Sequence, residues 1–133
     1  MRRDACVHGS DEERALSMAT RPKIVVVGAG FGGVAAAKRL AGCDVDVTLI
    51  DRRNYHLFQP LLYQVATADL SPADIAWPIR GLFADDRNIA VVLADVTGID
   101  RSSREVLTDG GRYPYDFLIL ATGSSNAYFG HPE

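Results

Sequence analysis

The chain has 133 residues, of which 47% are hydrophobic and 23% charged, and its formal net charge is −3 at pH 7. These values describe a globular domain, or one part of a larger protein, and exclude a disordered chain. The weakly acidic balance gives no electrostatic reason to expect a nucleic-acid partner. The longest weakly polar run, residues 24–37, is too short and too rich in glycine for a transmembrane helix.

Residues 1–21 are polar, of mixed charge and without periodicity, and they predict a disordered leader. No apolar stretch follows the first arginines, which argues against a secretory signal, and the acidic residues 11–13 argue against a mitochondrial presequence. Met18 is a candidate natural start, because a short polar lead into the first strand follows it. Cys6 and Cys43 have neither metal-ligand nor CxxC spacing, so we predict no metal site and a reducing, cytosolic compartment.

A β-α-β unit follows the leader. Residues 23–27 form a short β-branched run that predicts a buried strand, and residues 32–41 are alanine-rich and predict a helix. Gly42 is placed to end that helix, and residues 45–50 predict a second strand. The two strands are expected to be parallel, with a right-handed crossover.

The next segment is less regular. Pro60 breaks it, and residues 61–68 predict a short helix. The sequence "SPADIAWPIRGLFAD", residues 71–85, predicts a helix with proline at its first position and an interruption at Pro78. Trp77 is expected to be a core residue of this segment.

Three short strand patterns then occur, in "NIAVVLADVTGID", "REVLTDG" and "RYPYDFLILATG". Residues 98–103 and 109–111 predict the turns between them. Residues 116–121 are apolar and β-rich, and we expect them to return to the central parallel sheet. The layout is a three-stranded meander in the place where a crossover helix would be expected.

The first strand runs into a GxGxxG loop. Gly28 permits the tight turn, Gly30 lets the backbone approach a pyrophosphate, and Gly33 lets the helix pack against the sheet. Gly32 is an additional glycine. The unpaired N–H groups and the positive end of the helix would then face the anion. The alternative is a plain tight turn without a ligand.

An acidic residue ends the second strand. Asp51 lies 18 residues beyond Gly33, close to the spacing of about 20 expected for a carboxylate that binds a ribose hydroxyl. Arg52 or Arg53 could accommodate a 2′-phosphate, but Asp51 would repel it. We therefore favour the ribose diol of NAD or FAD, with the arginines as pyrophosphate contacts or solvated charges. Without a ligand, Asp51 would be a solvated strand end.

Three stretches carry a family resemblance. "KIVVVGAGFGG", "IDRRNYHLFQPLLYQVATADL" and "YDFLILATGS" together resemble the N-terminal FAD half of type II NADH dehydrogenase, the single-subunit NADH:quinone oxidoreductase. This family belongs to the pyridine nucleotide-disulfide oxidoreductase-like flavoproteins, which bind two dinucleotides. The resemblance implies an α/β fold, with an incomplete Rossmann-like parallel sheet and a β-meander crossover. It assigns residues 22–133 to the N-terminal segment of an FAD/NAD(P)-binding domain.

The resemblance also implies roles for individual residues. Asp51 would bind the adenosine ribose with Arg52 nearby, and Val96 would meet the adenine through its backbone. Pro60 and Leu61 would lie towards the flavin. The residues implied to hold the FAD pyrophosphate are Gly28, Gly30, Phe31, Gly32 and Gly33. The residues implied to close over the cofactor are Ala121, Thr122 and Gly123.

Aromatic residues near the specific stretch have two interpretations each. His56 is either a polar contact near the flavin or quinone, or a loop histidine with a satisfied hydrogen bond. Tyr55, Phe58 and Tyr63 either line a cofactor channel or pack beneath the loop. The sequence has no CxxxxC after the first helix, which disfavours a disulfide reductase. It offers no convincing catalytic acid, base or nucleophile.

The resemblance implies that the complete enzyme passes electrons from NADH through FAD to a quinone. Its NADH domain, the rest of its FAD domain and a membrane-facing C-terminal segment would lie outside these 133 residues, so we expect the chain alone to be inactive. The full-length protein would lie on the inner face of the plasma membrane and could form a homodimer. The alternatives are a ferredoxin-reductase-like or sulfide:quinone reductase-like flavoprotein, or a non-catalytic nucleotide-binding fragment.

Overall fold

The computed structural model describes residues 21–124. The predicted leader, except for Arg21, and the candidate start at Met18 lie outside the described residues. Among the residues described, no helix is long and apolar enough to cross a membrane. The strands are β1 (Lys23–Val27), β2 (Asp46–Asp51), β3 (Tyr55–Leu57), β4 (Ala76–Pro78), β5 (Ile89–Leu93), β6 (Val96–Asp100), β7 (Glu105–Thr108), β8 (Gly111–Pro114) and β9 (Phe117–Leu120). The helices are α1 (Phe31–Leu40), α2 (Leu62–Ala66) and α3 (Ile79–Leu82), with 3₁₀ turns at Gln59–Leu61 and Pro72–Asp74.

The central sheet has four parallel strands in the order β5-β2-β1-β9. This confirms the predicted β-α-β unit and the predicted return of residues 116–121 to the sheet. The observed boundaries of α1 and β2 each differ from the prediction by one residue. Gly42 follows α1 with a φ of +75°, a left-handed conformation that favours glycine at the end of a helix.

Alternate side chains of β1 serve two different cores. Ile24 and Val26 pack on one face of the sheet with α1 and α3, whereas Val25 and Val27 pack on the other face with Val106 of the meander. This is the period of two that any strand imposes on its side chains. Because both faces are covered, β1 reads as a continuous apolar run.

The crossover from β5 to β9 is the antiparallel sheet β6-β7-β8, which confirms the predicted meander. Its first predicted strand pattern also contains β5, however, and β5 belongs to the parallel sheet. The prediction that the turn begins at Gly98 is wrong, because Gly98 lies inside β6 and the turn occupies residues 101–104. Asp100 sets that position. Its Oδ1 atom accepts hydrogen bonds from the N–H groups of Ser102 at 2.8 Å and Ser103 at 3.2 Å. These bonds stabilise the carboxylate and lower the pKa of Asp100 below its ordinary value.

We call residues 52–88, which connect β2 to β5, the excursion. The predicted helix at residues 71–85 is wrong for its central part, which is β4 paired antiparallel with β3. A helix would need the Ile79 N–H to donate to the Ile75 carbonyl. Instead, the Ile75 carbonyl accepts from the Phe58 N–H at 2.8 Å and the Ile79 N–H donates to the Asn54 carbonyl at 3.0 Å. Trp77, predicted to be core, is 45% exposed.

Candidate functional site

The glycine loop leaves the carboxyl end of β1 and opens α1. Gly28 has a φ of +98°, and a Cβ at this position would overlap the carbonyl group of Ala121. A Cβ at Gly33 would overlap the carbonyl oxygen of Gly28, whereas a Cβ at Gly30 would meet, among residues 21–124 and apart from its chain neighbours, no atom within 4 Å. The protein's own packing therefore requires glycine at 28 and 33 but not at 30.

Asp51 supports the loop from the end of β2. Its Oδ2 atom accepts a hydrogen bond from the Ala29 N–H at 2.6 Å, and its Oδ1 atom accepts one from the Arg53 N–H at 2.7 Å. The carboxylate thus joins the glycine loop to the turn that follows β2. Each oxygen of a carboxylate can accept more than one hydrogen bond, so capacity for a ligand hydroxyl remains.

His56 supports the same loop from β3. Its Nδ1 atom lies 3.0 Å from the carbonyl oxygen of Ala29. Because a carbonyl oxygen only accepts, Nδ1 carries the proton and donates it. The rings of His56 and Phe58 each contact the Phe31 ring edge-to-face, at centroid distances of 5.2 and 5.5 Å. The interpretation of His56 as a loop histidine with a satisfied hydrogen bond agrees with this geometry.

Two adjoining cavities lie along the carboxyl ends of the parallel strands, where open α/β sheets bind ligands. The larger has a volume of about 560 Å³ and the smaller about 240 Å³. We call them together the cleft. Residues lining both are Gly28, Asp51, Arg52 and Thr122. Further residues lining the larger cavity include Gly30, Phe31, Gly32, Arg53, Tyr55, Gln59, Ala121, Gly123 and Ser124. The smaller cavity adds Val96 and Asp95.

Most residues named from the sequence therefore meet at one cleft. Gly33 lies behind it, buried where α1 packs on the loop. Pro60 and Leu61 are in the 3₁₀ turn beside the cleft but not among its lining residues, and their role stays a prediction. Tyr63 is 63% exposed and likewise does not line it.

Some cleft residues were not anticipated from the sequence. Asp95 lies just beyond β5, a strand that the sequence indicated only as part of the meander, so its place at the carboxyl end of a parallel strand was missed. Gln59 had no sequence signal, because it reaches the cleft through the 3₁₀ turn. The contact of His56 with Ala29 joins residues 27 positions apart, and no local pattern indicates it.

A glycine loop between a parallel strand and a helix, with an acidic residue ending the next strand, defines the class of dinucleotide-binding α/β domains. Residues 22–133 match the family described as pyridine nucleotide-disulphide oxidoreductase. The match covers most of the chain, and the protein belongs to this family.

Three similar proteins illustrate the relationship. The type II NADH:quinone oxidoreductase Ndh of Mycobacterium tuberculosis is 48% identical over 115 residues, which are 84% of this chain and 25% of the relative. The structure of the sulfide:quinone oxidoreductase of Aquifex aeolicus has a TM-score of 0.73 and 32% identity over 80% of this chain and 25% of its own.

The structure of NDH2 from Plasmodium falciparum in complex with NADH has a TM-score of 0.71 and 25% identity, over 84% of this chain and 24% of its own. The chain thus spans about a quarter of the length of each of these relatives. The likeness confirms a Rossmann-like α/β fold that corresponds to part of a flavoprotein.

Proposed function

We propose that the cleft binds FAD and that the chain is the FAD-binding part of an NADH:quinone oxidoreductase. The observation that carries the proposal is the contrast among the loop glycines. Gly28 and Gly33 are needed to avoid overlap within the protein, whereas Gly30 lines the cleft and a Cβ there would contact none of the described residues beyond its chain neighbours. Glycine at 30 is explained if a ligand, rather than the protein, needs the room.

The chemistry of the cleft fits a dinucleotide. The first N–H groups of α1 have no acceptor within the helix and favour an anion such as a pyrophosphate. Asp51 retains acceptor capacity for a ribose hydroxyl, and its negative charge disfavours a 2′-phosphate at the same place. Val96 in the smaller cavity would meet the adenine, and Arg52 in both cavities would lie beside the ribose and pyrophosphate.

At the other end of the cleft, the cofactor would be enclosed by the segment after β9. The residues proposed to close over it are Ala121, Thr122 and Gly123. The carbonyl of Ala121 lies so close to the glycine loop that a Cβ at Gly28 would overlap it. When bound, the flavin would take electrons from NADH and deliver them to a quinone. The protein's part is to bind and orient it.

The substrates are proposed from the relative of M. tuberculosis, which is named a type II NADH:quinone oxidoreductase. NADH binding, quinone binding, membrane contact and homodimer formation would belong to the complete protein. Its place would be the cytoplasmic face of the plasma membrane.

A second candidate function is sulfide:quinone reduction, favoured by the structural match at 32% identity to the A. aeolicus enzyme. Comparing NADH and sulfide as reductants of the purified complete gene product distinguishes the two.

The test compares Gly30→Ala with Gly32→Ala in the complete gene product. At Gly32 an added Cβ would lie 3.8 Å from the Cβ of Ala121, an ordinary contact. We expect Gly30→Ala to weaken FAD binding by roughly tenfold or more, because its methyl group occupies the approach to the pyrophosphate. Both variants should unfold at nearly the wild-type denaturant midpoint.

Flavin absorbance and titration of the apoprotein with FAD measure the effect. Equal FAD affinity in the Gly30→Ala variant and the wild type would contradict the proposed position of the pyrophosphate. A wild-type protein that binds NADPH tightly and no flavin would overturn the cofactor assignment.

A further inference from the structure

We propose that His56 is a positioning residue that fixes the glycine loop for its ligand. The inference rests on the proposed function for the identity of that ligand, FAD. Three contacts carry it: the hydrogen bond from His56 to Ala29, the bond from Ala29 to Asp51, and the packing of His56 on Phe31.

The two hydrogen bonds hold consecutive peptide groups of the loop. The Asp51 carboxylate accepts from the N–H of Ala29, which belongs to the peptide joining Gly28 to Ala29. His56 donates to the carbonyl of Ala29, which belongs to the next peptide, joining Ala29 to Gly30. Each peptide is trans, so its N–H and C=O groups point in opposite directions.

The hydrogen bond from His56 to the Ala29 carbonyl sets the direction of the next N–H group, that of Gly30. With the Ala29 carbonyl held by His56, the N–H of Gly30 is directed away from His56. Gly30 lines the cleft, whereas His56 is not among the residues that line it. His56 therefore acts from behind the loop: it sets the orientation of a peptide whose other side faces the proposed pyrophosphate, and it need not touch the ligand.

The aromatic contact extends this support to the start of α1. Phe31 is the first residue of α1, lines the cleft and is 47% exposed. Its ring packs edge-to-face with the rings of His56 and Phe58. Phe58 is itself tied to Ile75 through its N–H. The excursion therefore holds both the backbone and the first side chain of the loop-helix junction.

Two substitutions separate the hydrogen bond from the bulk of the ring. Asn places an amide N–H near the position of Nδ1, whereas Gln places it near the position of Nε2. We therefore expect His56→Asn to retain the bond to Ala29 and His56→Gln to lose it. The expected FAD affinity of the complete gene product falls by roughly five- to tenfold in His56→Gln and stays within about twofold of wild type in His56→Asn.

A second measurement needs no ligand. Amide hydrogen exchange of the peptide covering residues 28–33 should be roughly fivefold faster in His56→Gln apoprotein than in the wild type, and close to wild type in His56→Asn. Exchange in β1 should be the same in all three proteins. Faster exchange throughout the chain would mean general destabilisation and would overturn a local positioning role.

The outcomes separate this inference from the proposed function. If the wild type fails to bind FAD while the exchange pattern holds, FAD is wrong and the positioning of the loop stands. If FAD binds and both variants match the wild type in affinity and exchange, His56 does not position the loop. If His56→Asn and His56→Gln weaken FAD binding equally, the Nδ1 hydrogen bond does not explain the lost affinity, and the positioning role inferred for it is overturned.

Discussion

The central sheet and the excursion lie side by side at the cleft but are held by different interactions. In the sheet, Val26, Leu49 and Ile50 are completely buried, and each strand pairs along its length with a parallel neighbour. In the excursion, the paired strands β3 and β4 have three residues each. Its exposed large apolar residues include Tyr55, Leu62, Tyr63 and Trp77, whereas Ile75, Ile79 and Phe83, nearer its end, are buried.

This difference matters because both regions contribute to one site. The sheet supplies the glycine loop and Asp51, whose positions follow from burial and regular pairing. The excursion supplies Tyr55, Gln59 and the support from His56, whose positions depend on single bonds between distant residues. The β3–β4 pair contains no buried residue, and such regions open locally at lower free energy than a buried sheet. We therefore expect substitutions in the sheet to cost more than comparable ones in and beside the β3–β4 pair.

Gly33→Ala should have the largest effect. Its methyl group would overlap the Gly28 carbonyl, which is backbone and cannot rotate away. We expect a loss of about 3 kcal/mol in the free energy of unfolding, at the upper end for an overpacked position. Denaturant titration measures it, with Gly32→Ala as the control that should stay close to wild type. A loss below about 1 kcal/mol would mean that the loop moves to make room.

Asn88→Ala should have the second largest effect. Asn88 precedes β5 and ties it to the connection between α1 and β2. Its Nδ2 atom donates to the carbonyls of Leu40 at 2.9 Å and Val45 at 3.1 Å, and its Oδ1 atom accepts from the Gly42 N–H at 3.0 Å. We expect a loss of about 2 kcal/mol, because several backbone groups lose a partner.

The matched control for this variant is Arg87→Ala, since Arg87 is exposed and adjacent in sequence. The same denaturant titration compares the two. Equal free energies of unfolding for both variants would contradict a structural role for the Asn88 side chain.

Ser71→Ala tests a local support within the excursion. The Ser71 Oγ atom accepts from the Ala73 N–H at 3.3 Å, and Asp74 accepts from the Ser71 N–H at 2.9 Å, forming a capping box. Loss of such a cap costs about 1 kcal/mol. We expect that value or less, with faster amide exchange confined to residues 71–78. Ser71→Thr keeps a hydroxyl acceptor and should show the wild-type exchange rates. Faster exchange in Ser71→Thr as well would mean that loss of the cap does not cause the change.

Trp77→Gln should have the smallest effect. Trp77 lies on β4 with 45% of its surface exposed, and substitutions at such positions change the free energy of unfolding by about 0.5 kcal/mol or less. Circular dichroism must follow unfolding, because the chain has only this tryptophan. Ile75→Val, at a residue 1% exposed, should cost about 1 kcal/mol. A larger loss in the free energy of unfolding for Trp77→Gln than for Ile75→Val would mean that Trp77 is a core residue, as the sequence predicted.

The sheet could be predicted because its signals are local. The β-branched run of β1, the glycines after it and Asp51 after β2 all lie within residues 23–51. The prediction of a helix at residues 71–85 was wrong because the interactions that fix this segment are not local. The backbone groups of Ile75 and Ile79 pair with Phe58 and Asn54, and nothing in the local periodicity indicates which distant partner a backbone group will find.

The candidate site divides in the same way. The loop glycines and Asp51 could be recognised from spacing, whereas Val96 was placed only by family resemblance. The bond from His56 to Ala29 depends on how the β3–β4 pair lies against the loop, and the sequence alone left two interpretations of this residue open. Tertiary contacts decided between helix and strand for residues 76–78, where local propensity was weak.

The pairing of β1 with β9 has a consequence for protein synthesis. The N–H of Lys23 donates to the Asp116 carboxylate across 93 positions, and the carbonyl of Ala121 lies against Gly28. A ribosome makes the glycine loop before the excursion and the meander, but the strand that packs against its turn emerges only after both. Until then one edge of β1 has no partner strand and is open to wrong pairing. Within residues 21–124, the glycine loop is therefore translated before the excursion and the meander but can be completed only after both.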